Sequence, residues 1–258
     1  MKTHWSVLLA MVVMLVQAFV GAVPALLLLD RANPLRPLLG ALGVTLVGLL
    51  LVYLVRRFLD RRPWRALGWR NPSHLLLGVL AGAVPVLAAN GLSLAVGASA
   101  WAPVDPAIYA QLPLVAVVVL LGQAFPEELL WRGHLYDTLS DRLSPRALLV
   151  VLSAGFGVLH IASQSAADSI AERLLYVVMA VSLGFACTAA RVWSGGLWMA
   201  VGAHLGVHLG MRALPLRPEE FGVMLVLQTV MLTLAGVVLL KGRGLLSSGA
   251  RTGDRVTA

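Results

Sequence analysis

The chain alternates between long apolar runs and short polar stretches, and this pattern predicts membrane-spanning helices. A run of about 20 apolar residues is long enough to cross the hydrocarbon core of a bilayer as an α-helix. Eight runs approach that length: 5–29, 35–55, 74–100, 113–139, 146–163, 170–192, 194–212 and 221–240. The sequence therefore predicts an all-α fold, a polytopic transmembrane helical bundle with about eight spans.

No second domain and no long-period repeat accompany these runs. We predict one transmembrane domain over residues 1–240, with its chemistry concentrated in 120–212. The first run is longer than a signal-peptide core, which is typically about 7 to 15 residues, so we expect it to be retained as a span. The segment 241–258 is polar and rich in Gly, Ser and Thr, a composition typical of a disordered tail.

Composition agrees with a membrane protein and excludes an ordinary soluble one. Apolar residues make up 59% of the chain and charged residues 12%, and the mean hydropathy is +0.86. The net charge of +8 comes from arginines that lie between the apolar runs, so they indicate topology and contact with membrane lipid rather than binding of nucleic acid.

The distribution of Lys and Arg predicts the orientation in the membrane. Fourteen of the twenty lie on the side of the N terminus, six of them in the loop 56–70, and five lie on the opposite side. Because cytoplasmic loops carry the excess of positive residues, we expect both termini in the cytoplasm of a multi-pass protein of the plasma (inner) membrane.

The fourth run contains PEELLWRG at 126–133, which places three charges inside a span. Each costs roughly 2.5 to 3.5 kcal/mol near the bilayer centre, so these residues need partners or a task. Glu128 and Arg132 are four residues apart, in the favourable order for a helical ion pair. Glu127 projects about 100° away from Glu128 and keeps no built-in cation. It is therefore the candidate general base.

Three histidines inside other spans complete the candidate site. His160 lies in the fifth run, and His204 and His208 lie four residues apart on one face of the seventh. Glu127 with His160 could polarise a water molecule for attack on a carbonyl group, and His204 with His208 could donate hydrogen bonds to the resulting oxyanion.

The sequence is also compatible with other functions of these residues. Glu127, His160, His204 and His208 would also make an acceptable zinc shell, although the chain has no HExxH and we expect no cysteine near the cluster. Cys187, the single cysteine, is predicted to be a small core residue, and no cofactor is expected. A structural network of buried ion pairs and a transporter with a proton path are the further alternatives.

Three ordered motifs resemble the CPBP family of intramembrane proteases, which includes the CAAX prenyl endopeptidase and bacteriocin-processing or immunity proteins. EELLWRGHLYDTL at 127–139 is similar to the EExxxR motif with its continuation, FGVLH at 156–160 to FxxxH, and HLGVH at 204–208 to an HxxxN-type motif. The resemblance spans roughly residues 120–212. Its one departure is His208, where asparagine is usual.

The resemblance implies an intramembrane endopeptidase of the metal-independent glutamate type, acting on a membrane-associated peptide or protein. It implies that Glu127 and His160 activate water, that Glu128 and Arg132 support them, and that His204 and position 208 form the oxyanion site. The alternative is a non-catalytic membrane protein of the same fold, which acts by binding, like an immunity or scaffolding protein.

Overall fold

The structure is a computed structural model that describes residues 2–163 and 165–243. Eight long helices form a bundle, and each of the eight predicted runs contributes one. They are α1 Thr3–Leu28, α2 Arg36–Asp60, α3 His74–Ala95, α4 Leu112–Ser140, α5 Pro145–Ala162, α6 Ile170–Ser194, α7 Trp198–Ala213 and α8 Phe221–Gly242. A short antiparallel pair, β1 Ser99–Trp101 with β2 Leu216–Pro218, connects two loops, and single turns lie at Trp64–Leu67 and Ala107–Ala110. The predicted all-α polytopic bundle is confirmed.

Seven of these helices are long and apolar enough to cross a membrane. The exception is α7, whose 16 residues extend about 24 Å, less than the roughly 30 Å of a hydrocarbon core. It packs closely against α3 through glycines on both helices. A Cβ added at Gly82 would lie 2.0 Å from the Ala203 carbonyl oxygen, and one added at Gly202 would lie 2.0 Å from that of Leu75. This close packing holds α7 in place within the bundle, and it thereby also positions the two histidines that α7 carries.

Helix α4 is irregular around the charged motif. The turn Phe125–Glu128 is α-helical, but Leu120–Ala124 before it and Leu129–Leu135 after it are π-helical. Pro126 supplies no backbone N–H, so a regular ladder of hydrogen bonds is interrupted here. Widened turns of this kind are frequent at functional sites, because they redirect side chains relative to a regular helix.

The arginine-rich segment 56–70, predicted as a loop, begins within the last turns of α2 and is partly a structural element. Arg56 is buried and lies 3.0 Å from Asp137, while Arg62 lies 3.3 Å from Asp137 and 2.6 Å from Asp141. The two aspartates belong to the end of α4 and the turn after it, so these ion pairs hold the ends of α2 and α4 together. Topology and lipid contact are therefore not the only uses of this loop.

The last helix includes the first two residues of the segment predicted as a polar tail. Helix α8 continues through Lys241 to Gly242. A lysine can be accommodated at the end of a membrane-spanning helix, because its long side chain extends toward the membrane surface. Residues 244–258, most of the predicted tail 241–258, lie outside the described residues.

Candidate active site

Glu128 and Arg132 form a fully buried ion pair on α4. The Arg132 Nη1 atom lies 2.9 Å from Glu128 Oε1, and both side chains are 0% exposed. The guanidinium also donates to the Gly184 carbonyl oxygen at 2.6 Å and to Thr188 Oγ1 at 3.2 Å, and it lies 4.7 Å from the ring centre of Phe156. Arg132 is therefore held by α4, α5 and α6 at once.

Glu127 faces away from this pair, into a cavity of about 460 Å³. His160, His204 and His208 line the same cavity, so residues from α4, α5 and α7 converge there. Within residues 2–163 and 165–243, Glu127 forms no ion pair, and its buried Oε2 atom has no hydrogen-bond partner. A buried carboxylate oxygen of this kind needs a hydrogen bond, and water or a substrate in the cavity could donate it.

His160 occupies the last turn of α5, and one backbone contact assigns its tautomer. Its Nδ1 atom lies 3.1 Å from the Phe156 carbonyl oxygen. A carbonyl oxygen only accepts, so Nδ1 carries the proton in this contact. Nε2 of the neutral ring is then left as a hydrogen-bond acceptor, the state that can orient a water molecule beside Glu127.

His204 is tied to the buried ion pair. Its Nδ1 atom lies 3.0 Å from Glu128 Oε1 and therefore donates to the carboxylate. In the neutral ring Nε2 is an acceptor, so His204 can donate into the cavity only when both of its ring nitrogens carry protons. The oxyanion role implied for His204 thus requires the doubly protonated ring.

His208 is arranged differently from His204, although the two rings are stacked with centres 5.2 Å apart. Its Nδ1 atom lies 3.4 Å from Nη1 of Arg212, which also donates to the His208 carbonyl oxygen at 2.9 Å. A guanidinium only donates, so Nδ1 accepts and Nε2 carries the proton. Neutral His208 is therefore in the tautomer whose Nε2–H can donate, as the side-chain amide of an asparagine would.

Comparison with known proteins identifies the segment that contains these residues. Residues 109–210 match the profile of the family described as Type II CAAX prenyl endopeptidase Rce1-like. We call residues 109–210 the Rce1-like domain, after the family to which this segment is similar. The match confirms the resemblance to the CPBP family, and it extends from the loop before α4 to the last turns of α7. No curated protein matches the chain.

One group of metal-ligating side chains lies in the Rce1-like domain, among the residues that the structure describes. The ligand atoms of Glu128, Cys187 and His204 lie within 4.8 Å of one another. The expectation that no cysteine lies near the cluster was wrong, because α6 packs against α4 and brings Cys187 to Glu128. The four residues predicted for zinc, Glu127, His160, His204 and His208, line one cavity. Within the described part of the chain, however, ligand atoms close enough to share a metal ion are found only in the group of Glu128, Cys187 and His204, where they lie within 4.8 Å of one another.

The residues of this group fit a metal ion poorly. Glu128 Oε1 already accepts from Arg132 at 2.9 Å and from His204 Nδ1 at 3.0 Å. A cation bound there would displace the histidine proton and would lie beside a buried guanidinium of like charge. Neither Glu127 nor His160 belongs to the group, so a metal bound there would lack both proposed water-activating residues.

The Rce1-like domain also uses residues of α6 that the motif search did not single out. Gly184 and Thr188 accept from Arg132, and Arg191 donates from Nε to the Arg132 carbonyl oxygen at 3.0 Å and lies over the Tyr136 ring. Residues 184, 188 and 191 have the spacing of one helix face, and this spacing is the feature of the sequence that indicates a shared role. Their partners could not be read from it.

Proposed function

We propose that the protein is an intramembrane endopeptidase that hydrolyses a peptide bond in a membrane-associated peptide or protein. The observation that carries the proposal is the division of the charged motif. Arg132 forms an ion pair with Glu128. Glu127 has no ion-pair partner among the described residues, and it lines one cavity with His160, His204 and His208. A carboxylate without a cation, beside a histidine with a free acceptor nitrogen, is suited to proton abstraction from water.

The proposed reaction begins with a water molecule between Glu127 and His160. The Glu127 carboxylate takes one proton, Nε2 of His160 accepts the other hydrogen in a hydrogen bond, and the water oxygen attacks the carbonyl carbon. Nε2–H of His208 donates to the oxyanion of the tetrahedral intermediate. When the C–N bond breaks, protonated Glu127 returns its proton to the leaving amine, and the carboxylate is regenerated.

Glu128 and Arg132 act as positioning residues in this scheme. Arg132 fixes the Glu128 carboxylate, and the carboxylate orients the His204 ring beside the cavity. Polar groups that are held in place before the reaction stabilise a developing oxyanion, and such preorganisation is usually the largest contribution to this type of catalysis. No step requires a metal ion.

The surroundings of the cavity indicate the type of substrate. Apolar side chains of α1 and α5, among them Met14, Phe19 and Leu159, line it together with the polar groups. The cavity lies within a bundle of apolar helices, so its substrate is expected to reach it from the membrane. We propose a plasma-membrane location with cytoplasmic termini, on the bias of Lys and Arg between the two sides.

The test replaces Glu127 by Gln in the purified protein and follows cleavage of a peptide panel in nanodiscs. General-base catalysis contributes about 100- to 10,000-fold, so a loss of that size is expected for E127Q. Glu219 is exposed and lies outside the cavity, and E219Q is the matched control with near-normal cleavage. Cleavage is also expected to continue in the presence of a chelator.

Three results would count against the proposal. Undiminished cleavage by E127Q would show that Glu127 is not the general base. Loss of cleavage on chelation, with recovery on addition of zinc, would support a metal mechanism instead. If the wild-type protein cleaves no peptide of the panel while it binds some of them, the non-catalytic alternative of the same fold is favoured.

A further inference from the structure

A second, larger cavity adjoins the candidate active site. Its volume is about 820 Å³, and it lies between α1, α2 and α4, beside the loop that connects α1 to α2. Most of its wall is apolar, for example Leu26, Val115 and Val118. Three arginines, Arg31, Arg36 and Arg212, also line it, and no acidic side chain does. We call this cavity with its three arginines the arginine groove.

The arginines of this groove have no carboxylate partner among the described residues. None of them belongs to an ion pair there. The Nε atom of Arg36 is buried without a hydrogen-bond partner, and its Nη2 atom reaches only the Leu26 carbonyl oxygen, at 3.4 Å. Among the described residues, the hydrogen bonds of the Arg212 side chain go to His208 alone. Three uncompensated cations around one apolar groove are complementary to an anion.

The arginine groove lies beside the catalytic cavity, the one that Glu127 lines. Val44, Gly122 and Gln123 line both of them, so a single extended ligand could occupy the two together. Arg212 also lies one helical turn after His208, the proposed oxyanion donor. A ligand anion bound at the arginines would therefore lie on a fixed side of the reacting carbonyl group.

We infer that the arginine groove is a substrate subsite, which binds an extended, largely apolar peptide segment through a carboxylate on that segment. The inference rests on the proposed function, because the occupant of the catalytic cavity is taken to be a peptide. The three guanidinium groups hold the carboxylate, and the apolar wall of the groove covers the residues between it and the scissile bond. The position of the acidic residue in the substrate, relative to the scissile bond, is thus a determinant of specificity.

The experiment measures peptide binding in the E127Q background, so that no peptide is consumed. Fluorescent apolar dodecapeptides carry one Glu, moved one position at a time, and each is compared with its Gln counterpart by anisotropy in phosphatidylcholine nanodiscs. Hydrogen bonds to a charged group contribute about 1.5 to 3 kcal/mol, so the best Glu peptides should bind about tenfold to a hundredfold more tightly.

The variants separate the groove from general electrostatics. R31Q/R36Q removes two groove arginines and leaves the contact between Arg212 and His208 in place, and it should abolish the preference for Glu. R57Q/R217Q removes the same charge at exposed positions outside the groove, and it should retain that preference.

The other outcomes overturn either the inference or the proposed function on which it rests. A peptide series without any Glu preference, or a preference that persists in R31Q/R36Q, refutes the subsite. Loss of the preference in nanodiscs that contain phosphatidylglycerol, with no loss in phosphatidylcholine, assigns the groove to an anionic lipid headgroup. An intact Glu preference in a protein whose wild-type form cleaves nothing would instead refute the proposed function and leave the anion site standing.

Discussion

Replacement of Arg132 by Met should severely destabilise the fold, because Arg132 neutralises a buried carboxylate. The change removes the 2.9 Å ion pair with Glu128 and the donors to the Gly184 carbonyl oxygen and Thr188 Oγ1. Met is close to Arg in length, so the cavity that it leaves is small. What remains is the Glu128 carboxylate, 0% exposed, with His204 as its remaining ion-pair partner among the described residues.

The magnitude follows from the burial of this pair. Removing one member of a buried ion pair costs about 3 to 5 kcal/mol, mainly because the other charge is left uncompensated. The double variant E128Q/R132M removes that charge as well, so it should recover part of the loss. Residues in direct contact show coupling energies of about 0.5 to 3 kcal/mol, and a fully buried pair should lie toward the upper end.

The assay is reversible unfolding in mixed micelles, with the free energy of unfolding measured for R132M, E128Q and the double variant. R57M serves as the control, since Arg57 is exposed and forms no ion pair with a described residue. Surface changes of this kind usually alter stability by less than about 0.5 kcal/mol.

Two results would refute this account of the pair. A loss of less than about 1 kcal/mol in R132M would mean that Glu128 is protonated or solvated rather than an ion buried beside Arg132. Equal losses of unfolding free energy in R132M and E128Q/R132M would mean that the guanidinium stabilises the fold only by packing and by its contacts to α6. The proposed positioning role of the Glu128 carboxylate would then be unsupported.

Three further predictions concern other parts of the molecule. H208N should retain most peptide cleavage, whereas H208A should lose about 100- to 1,000-fold in kcat; equal rates would exclude His208 as an oxyanion donor. Gly157→Ala places a Cβ 2.3 Å from a side chain of α6 and should lower the free energy of unfolding by about 1 to 3 kcal/mol, whereas Gly91→Ala, with no atom within 4 Å, should be neutral or stabilising by up to about 1 kcal/mol. In intact cells an impermeant maleimide should label D105C and not R57C, because the proposed topology places these positions on opposite sides; the reverse pattern would invert that topology.

The charged motif and the histidines could be predicted because the membrane makes polar residues conspicuous. Three charges within one apolar run need an explanation, and the four-residue spacing of Glu128 and Arg132 already indicates their pairing. The same reasoning separated Glu127 from its neighbour. His160 and His204 stood out because they too lie inside apolar runs.

The parts that sequence could not supply depend on contacts between helices. Cys187 lies in an ordinary apolar run, and only the packing of α6 on α4 brings it to Glu128. The tautomers of His204 and His208 differ because one ring meets a carboxylate and the other a guanidinium, and a shared HxxxH spacing gives no indication of that. The arginine groove likewise combines residues that are distant in sequence.

The packing of the helix ends places the candidate site in one half of the bundle. Arg62 joins Asp141 at 2.6 Å, and the Leu197 backbone N–H donates to the Gly68 carbonyl oxygen at 2.6 Å, so α5 and α7 both start at the face of the arginine-rich loop. His160 lies in the last turn of α5, and His208 lies near the end of α7, so both are in the half of the bundle away from that face. The arginine groove is in the same half. With cytoplasmic termini, the proposed protease would therefore cut its substrate in the non-cytoplasmic half of the membrane, and the acidic residue bound by the groove would lie on that side of the scissile bond.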